Sequence, residues 1–413
     1  MASGWSSVRM VSWGARTARG LGPGPQQRSP AGAADAVRRQ EGGWSQTNPL
    51  HCIAEKGEAA MAESSARRLV FTGPREVRVE TVRLAAPGPG QALIRGEWAL
   101  ISTGTEMTAY TGDFPRGDSA WARYVRYPFA PGYSAVGIVE AVGPDCALAP
   151  GQRIVSGAAH ASRFLVDAPA TGIGPTLAGR HPTADALAAP EGVGAEVASF
   201  HALARIVLNG MRLARVEFGE SVAVVGCGLL GQLGIRFLRL AGALPVVACD
   251  LSRQRLVRAR AGGADVCLCP ADGDPVVALR AQNAGRRADV AIDVTGAPGS
   301  FPLACQLVRS LGRVVVLGSP RGPVMVDLHD DVHTRGLQVI GAHASTTPLQ
   351  ETAHTPWSLR RNVEYFFALL GSKRLNIADL ITHRYPLSEA DGAYRMLDRD
   401  RLQAMGVLLQ LDA

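Results

Sequence analysis

Lysine is nearly absent from this chain. Only Lys56 and Lys373 occur among 43 basic residues, so arginine carries almost all the positive charge. The arginines are dispersed among Asp and Glu rather than gathered in a block or stripe. Nucleic acid is therefore not expected as a partner, despite a formal charge of +7. Long apolar runs are missing as well. Nothing approaches the roughly 18 consecutive apolar residues of a membrane-spanning helix, so no membrane partner is expected. No C-x-x-C occurs, and the seven cysteines are odd in number, most of them inside apolar stretches. That pattern speaks for core packing in a reducing, cytoplasmic compartment and against a disulfide framework. The "CLC" of Cys267 and Cys269 sits at strand spacing and reads as packing, not as a metal or redox pair. No internal repeat is visible. With 46% hydrophobic and 19% charged residues over 413 positions, the chain can build two domains, each with its own core.

Residues 1–65 read as a disordered leader. Gly, Pro, Ser and Arg recur there without periodicity, so no face can be buried. Arg9, Arg16, Arg19 and Arg28 precede the first acid, Asp35, which mimics a transit peptide. Met61, at the head of "MAESSARRLVFTGPREVRVE", is the start that ordered sequence favours. From residue 68 to about 190, short segments such as "GQALIRGEWAL", "SAVGIVEAVG" and "ASRFLVDAP" alternate apolar and polar residues and end in turns. They predict an antiparallel, barrel-like domain. Between 215 and 345 the rhythm becomes strand, helix, strand, beginning at "SVAVVG" and ending at "LQVIGAHAS". Six apolar strands separated by helices predict a doubly wound parallel sheet of the α/β class. The tail, 346–413, returns to mixed structure and is expected to rejoin the first domain.

"VAVVGCGLLGQLGIRF" places Gly226, Gly228 and Gly231 between a strand and a helix, with Leu229 and Leu230 opening that helix. Gly226 permits the turn, Gly228 lets backbone approach a pyrophosphate, and Gly231 lets the helix pack on the strand. Asp250 closes the next strand, where an acid binds ribose hydroxyls and repels a 2′-phosphate. NAD is thus expected as cofactor. Arg253 and Arg255 follow and offer charge to a phosphate, which keeps NADP open. Thr295, Gly296 and Gly318 lie at later strand ends, where the nicotinamide half should rest.

A barrel-like domain, a six-stranded nucleotide domain and a returning tail together resemble the medium-chain dehydrogenase/reductases, the zinc-type alcohol dehydrogenase-like superfamily. The resemblance runs over about residues 68–413 and is carried by "STGTE", "PGYSAVGIVEAVG", "GQRI", "VAVVGCGLLG", "ACDLSRQRL", "DVAIDVTG" and "GRVVVLG". The "GTE" turn is most similar to a branch that includes bacteriochlorophyllide hydroxyethyl dehydrogenase and reductases of secondary metabolism. The resemblance implies a GroES-like β-barrel domain over 66–190 and a Rossmann domain over 191–345, with 346–413 returning to the former. It also implies a homodimer paired through the last strand of the nucleotide sheet.

The family's zinc ligands do not carry over. Thr103 stands in the slot of the first Cys, and Tyr133 and Ser134 stand where "G-H-E" would supply His and Glu. Glu191 and Glu196 are out of register for the third ligand, and the four-cysteine lobe is missing. No metal is expected. The resemblance assigns Thr105 as the hydroxyl that contacts a substrate oxygen. Tyr133 puts a phenol in the metal's place, and Glu106 ties the turn together. His160 is a candidate substrate contact, while His201, in an apolar run, reads as a core or cofactor-adjacent residue. "HDDVH" (His329, His333) reads as a surface or interface segment rather than a metal pair.

Three functions stay open at this point. One is hydride transfer between nicotinamide and a ketone or alcohol of small-molecule size, such as a cyclic polyol or another secondary metabolite. The second is zinc-free reduction of a conjugated C=C in an enone, quinone or cyclitol enone. The third is a catalytically silent nucleotide-binding protein.

Overall fold

The computed structural model describes residues 64–114, 117–170 and 186–412. Most of the expected leader, with Met61, lies outside the described residues. Its last two positions, Ser64 and Ser65, already belong to a strand.

The first half is built on β-structure. Strands β1 (Ser64–Gly73) and β2 (Glu76–Leu84) form an antiparallel hairpin. Strand β3 (Gln91–Leu100) is followed by two short helices, α1 (Thr105–Thr111) and α2 (Ala120–Tyr124). Then come β4 (Ala135–Val142), β5 (Arg153–Ser156), β6 (Arg163–Asp167) and the two-residue β7 (Leu187–Ala188). Strand β3 is the hub: it pairs antiparallel with both β4 and β6. Buried Ala92, Leu93 and Ile94 anchor it in the core.

The nucleotide domain begins with α3 (Ala195–Ala198) and α4 (His201–Ala214). It continues through β8 (Val222–Val225), α5 (Leu229–Leu240), β9 (Val246–Cys249), α6 (Arg253–Ala261) and β10 (Val266–Leu268). The remaining elements are α7 (Pro275–Gln282), β11 (Ala288–Asp293), α8 (Phe301–Leu307), β12 (Val308–Val316) and β13 (Gln338–Gly341). The six strands lie in the order β10-β9-β8-β11-β12-β13, all parallel. Strands β8 and β9 are buried at every position, as expected of a sheet covered on both faces. The order reverses between β8 and β11, and the crevice at such a switch point is where ligands of open α/β sheets sit. Helices start where the sequence provides caps. Ser252 accepts from the Arg255 N–H at the head of α6, and Asp274 accepts from Val276 N–H ahead of Pro275 in α7.

Helix α9 (Leu359–Gly371), strand β14 (Ile381–Pro386), helix α10 (Ala390–Asp400) and strand β15 (Gly406–Gln410) complete the chain. Strand β15 pairs antiparallel with β3, and β14 pairs parallel with β15, so the tail extends the first domain's sheet to seven strands. The return is not uniform. Helix α9 lies against α4, and its Phe366 and Phe367 join the core cluster of the nucleotide domain.

Two local expectations are refined. In "SFPLACQLVRSLG", one of the segments expected as a helix between two strands, the helix stops at Leu307, because buried Val308 already pairs with Ala288 as a strand residue. "HDDVH" lies in a single π-helical turn (Leu328–His333) with its two imidazoles stacked at 5.8 Å and both residues outside the buried core. Among the described residues no helix is long and apolar enough to cross a membrane.

Candidate active site

The glycine turn joins β8 to α5 as expected. Gly226 has φ +95°, a conformation that side chains rarely adopt, and a Cβ there would meet Thr295 Cγ2 at 2.8 Å. At Gly231 a Cβ would sit 2.0 Å from the Gly226 carbonyl, so the first turn of α5 can approach β8 only without a side chain. Gly228 differs: the nearest atom to its would-be Cβ is Arg255 Nη1, 3.8 Å away. That open space lies at the N-cap of α5, which no side chain caps, with Leu229 and Leu230 as the first helical residues. It is the cradle an anionic diphosphate requires, so the residues fit a dinucleotide.

Asp250 sits beside that turn. Its carboxylate accepts from the Cys227 N–H at 2.6 Å and from the Ser252 N–H at 2.7 Å, which ties the end of β9 to the glycine loop. The two candidate arginines part company. Arg253 is spent on Asp272 at the surface. Arg255 stays at the turn, with one Nη donating to the Arg401 carbonyl at 2.9 Å and a buried Nε that has no partner. Across the switch point, Thr295 donates to Asp293, Gly296 has φ +69°, and a Cβ on Gly318 would meet Val294 C at 2.6 Å. These three positions therefore form one crossing of backbone beside Gly226.

A second cluster forms at the head of α1. The Tyr133 hydroxyl donates to Ser102 Oγ at 2.5 Å, and Thr105 lies close enough to influence the phenol. The phenol's pKa is raised above the ordinary value by burial, which Ser102 and Thr105 offset only in part. Behind Thr105, Glu106 is 2% exposed and fully engaged. One oxygen accepts from the Ser102 N–H at 2.9 Å, and the other takes both His160 Nε2 at 2.9 Å and the Tyr394 hydroxyl. Glu106 is thus a clamp on the turn, joined to α10 through Tyr394. His160 is fully buried, and its Nε2 faces this clamp. Its ring packs on Gly132, φ +105°, where a Cβ would sit 2.8 Å from the imidazole. That contact fixes the "GYS" turn and the direction of Tyr133.

Beyond Tyr133 lies a void of about 10 Å³, lined on one side by His201 and Arg205 of α4 and on another by Leu359 and Val363 of α9. A volume of that size holds one water-sized atom. Arg205 is 3% exposed, one of its Nη atoms has no partner, and it forms no ion pair with a carboxylate among the described residues. Burial lowers its pKa to about 10, so it stays charged at neutral pH. Burial lowers His201 to about 3, so its imidazole is neutral there.

Ser102, Arg205 and Tyr394 were not singled out from the sequence. Arg205 carried a usable signal, since it interrupts the apolar face of "HALARIVLNGMRLA". Ser102 and Tyr394 carried none, because their roles depend on a turn and on a contact between residues 288 positions apart.

A dinucleotide turn on a parallel sheet, joined to a β-domain that presents a phenol and hydroxyls, defines a two-domain dinucleotide-binding protein. Comparison with known proteins narrows the class. Residues 88–208 match the family described as "Alcohol dehydrogenase GroES-like domain", and residues 230–358 match "Zinc-binding dehydrogenase". The L-threonine 3-dehydrogenase of Symbiobacterium thermophilum is 33% identical over 190 residues, 46% of this chain and 50% of that one. Human sorbitol dehydrogenase is 26% identical over 365 residues, 81% of this chain and 94% of that one. A short-chain alcohol dehydrogenase of Escherichia coli CFT073, solved with NADH, superposes with a TM-score of 0.68 at 18% identity, covering 84% of this chain and 99% of that one. This chain spans about half the length of the L-threonine 3-dehydrogenases it matches. It belongs to the medium-chain dehydrogenase/reductase superfamily, the zinc-type alcohol dehydrogenase-like proteins.

The donor set here does not fit the zinc of that family description. Thr103, Tyr133 and Ser134 offer neutral oxygens, and Ser134 is spent on the Ser199 carbonyl at 2.5 Å. Glu106 already serves three donors. Among the described residues, no three His, Cys, Asp or Glu side chains gather as a metal cradle.

Proposed function

We propose that this protein is an NAD(P)-dependent oxidoreductase that moves hydride between nicotinamide and a ketone or alcohol without a catalytic zinc. The observation that carries this reading is Tyr133, whose hydroxyl is bonded to Ser102 and whose side chain shares the lining of a void of about 10 Å³ with Arg205, one Nη of which has no partner. NAD(H), when bound, supplies or accepts the hydride. The chain's own residues handle the oxygen and its proton. When a carbonyl oxygen enters the void, the Tyr133 hydroxyl turns its proton from Ser102 to that oxygen and gives it up as negative charge develops, and the Ser102 hydroxyl then donates to the phenolate oxygen. Ser102 and Thr105 hold that hydroxyl in place, and Arg205 stabilises the phenolate left behind. Glu106, His160 and Tyr394 act through the turn as positioning residues. Asp250 is the group expected to receive the ribose hydroxyls, which favours NAD over NADP.

Reduction of a conjugated C=C is the second reading. The same neutral donors suit an enolate oxygen, and they stand where the family's zinc would polarise a carbonyl. A homodimer is expected through β13, an edge strand whose Gln338, Val339 and Gly341 are exposed. The deciding test is NADH consumption, followed in parallel with saturated ketones and with enones. Turnover of ketones supports the first reading and turnover of enones alone supports the second. Tight NADH binding with no turnover of either would instead indicate a silent nucleotide-binding protein.

A further inference from the structure

At the opposite end of the parallel sheet from the glycine turn, a cavity of about 400 Å³ opens beside the amino ends of β8, β11 and β12. Ser221, Asp289 and Arg309 lie on its floor, and Arg280, Arg286 and Arg287 stand around it. Its size falls within the range of small-molecule sites, roughly 300–1,000 Å³. Four guanidiniums thus face one carboxylate. That carboxylate is already taken: Asp289 accepts from the Ser221 N–H and hydroxyl at 2.8 Å and from Arg309 at 2.6 Å. Arg280 uses only its Nε, on the Gly285 carbonyl at 2.9 Å. Arg286 and Arg287 have no side-chain partner among the described residues, and Arg335 adds a further like charge near Arg287.

The loop that carries two of these arginines is held in shape. Buried Asn283 donates its side-chain amide to the carbonyls of Arg286 and Arg287 at 3.3 Å. Ala284 at φ +50° and Gly285 at φ +76° make the turn between them. Guanidiniums gathered by a fixed loop without counter-charges repel one another, and a multiply charged anion relieves that repulsion. Phosphate oxygens match the planar fork of Arg in bidentate fashion. At the rim, Leu244 lines the cavity at 58% exposure, and Phe218, beside lining residue Gly219, is 91% exposed. An exposed phenyl and an exposed leucine offer a platform for a ring attached to the phosphates.

The geometry points to a second ligand site here, one that takes a small polyphosphate anion, with a nucleoside triphosphate as the form that uses both the arginines and Phe218. It lies one strand length from the glycine turn. Ser221 and Gly226 are five residues apart, about 16 Å at the rise of a strand, so its occupant leaves the dinucleotide turn free.

The test is calorimetric titration of ATP, and separately of tripolyphosphate, into protein saturated with NADH, so that the dinucleotide turn is blocked. Saturable binding that weakens about tenfold or more in the R286Q/R287Q double variant, with NADH affinity unchanged, supports the site. Both positions are at the surface loop, and the retained NADH affinity checks that the variant folds. Equal binding of tripolyphosphate, unaffected by F218A, assigns the site to the phosphates alone. Tighter ATP binding that F218A reduces assigns it to a nucleotide. Absence of binding by either anion at millimolar concentration in low salt, or binding that R286Q/R287Q leaves untouched, overturns the proposal.

Discussion

The hydroxyl of Tyr133 and the Oγ of Ser102 lie 2.5 Å apart, with the tyrosine donating. Thirty-one residues separate them in the chain, and the fixed "GYS" turn brings the phenol to the head of α1. Tyr133→Phe removes the proton donor while keeping the ring. Hydride transfer should fall by about 10²–10⁴-fold, with NADH affinity unchanged. Ser102→Ala should cost less, about tenfold, because it removes a partner of the phenol and leaves the proton donor in place. Single-turnover NADH oxidation and NADH fluorescence titration measure the two effects separately.

The glycines of the nucleotide turn should separate into two kinds. Gly228→Ala meets nothing closer than 3.8 Å, so the fold should survive while NADH affinity drops. Gly231→Ala forces a Cβ to within 2.0 Å of the Gly226 carbonyl, so the fold itself should lose about 3 kcal/mol or more. Asp250→Ala should cut the preference for NADH over NADPH by about tenfold or more, since the acid no longer repels a 2′-phosphate. Thermal unfolding and paired cofactor titrations read these outcomes.

Tyr394 and Glu106 tie α10 of the tail to the turn that carries Thr105. Tyr394→Phe leaves the carboxylate one donor short and should destabilise the fold by about 1–3 kcal/mol. The same change should lower turnover more than it raises KM, because it loosens the turn that carries Thr105. Urea unfolding and steady-state kinetics check the pair.

The sheet domains were legible because burial on one or both faces imposes the periodicities that mark strands. The run from Ser221 to Ala342 shows this most fully, where apolar strands, caps and glycines all agree. The glycine turn was legible for a related reason, since each glycine answers a steric demand that no other residue meets. The cluster around Tyr133 was legible only in part. Thr105 and Tyr133 were each readable through the resemblance, but the bond that Tyr133 makes to Ser102 was not. Glu106 was readable as a brace, but its partners His160 and Tyr394 come from a distant loop and from the tail. Arg205 is a buried cation on an apolar helix face, and local sequence gives no partner for it.

Burial at α4 also makes a pH prediction. His201 has its pKa depressed to about 3 from an ordinary 6.5. The unfolded chain therefore binds a proton between those values that the folded chain refuses. This residue's stabilisation is complete above about pH 6.5 and is lost as pH falls toward 3, with a slope of at most about 1.4 kcal/mol per pH unit. His201→Asn should flatten that part of the stability profile. Denaturant unfolding of both proteins between pH 4 and 7.5, on the order of eight points, measures the difference.

In the proposed reaction Tyr133 and Arg205, rather than a metal, meet the charge that develops in hydride transfer. The most direct measurement is kcat of the metal-stripped protein against protein reloaded with one equivalent of Zn²⁺, alongside metal content by elemental analysis. Equal rates are expected, with Tyr133→Phe slowed by about 10²–10⁴-fold in both preparations. Activity that vanishes on stripping and returns in proportion to bound zinc would contradict it.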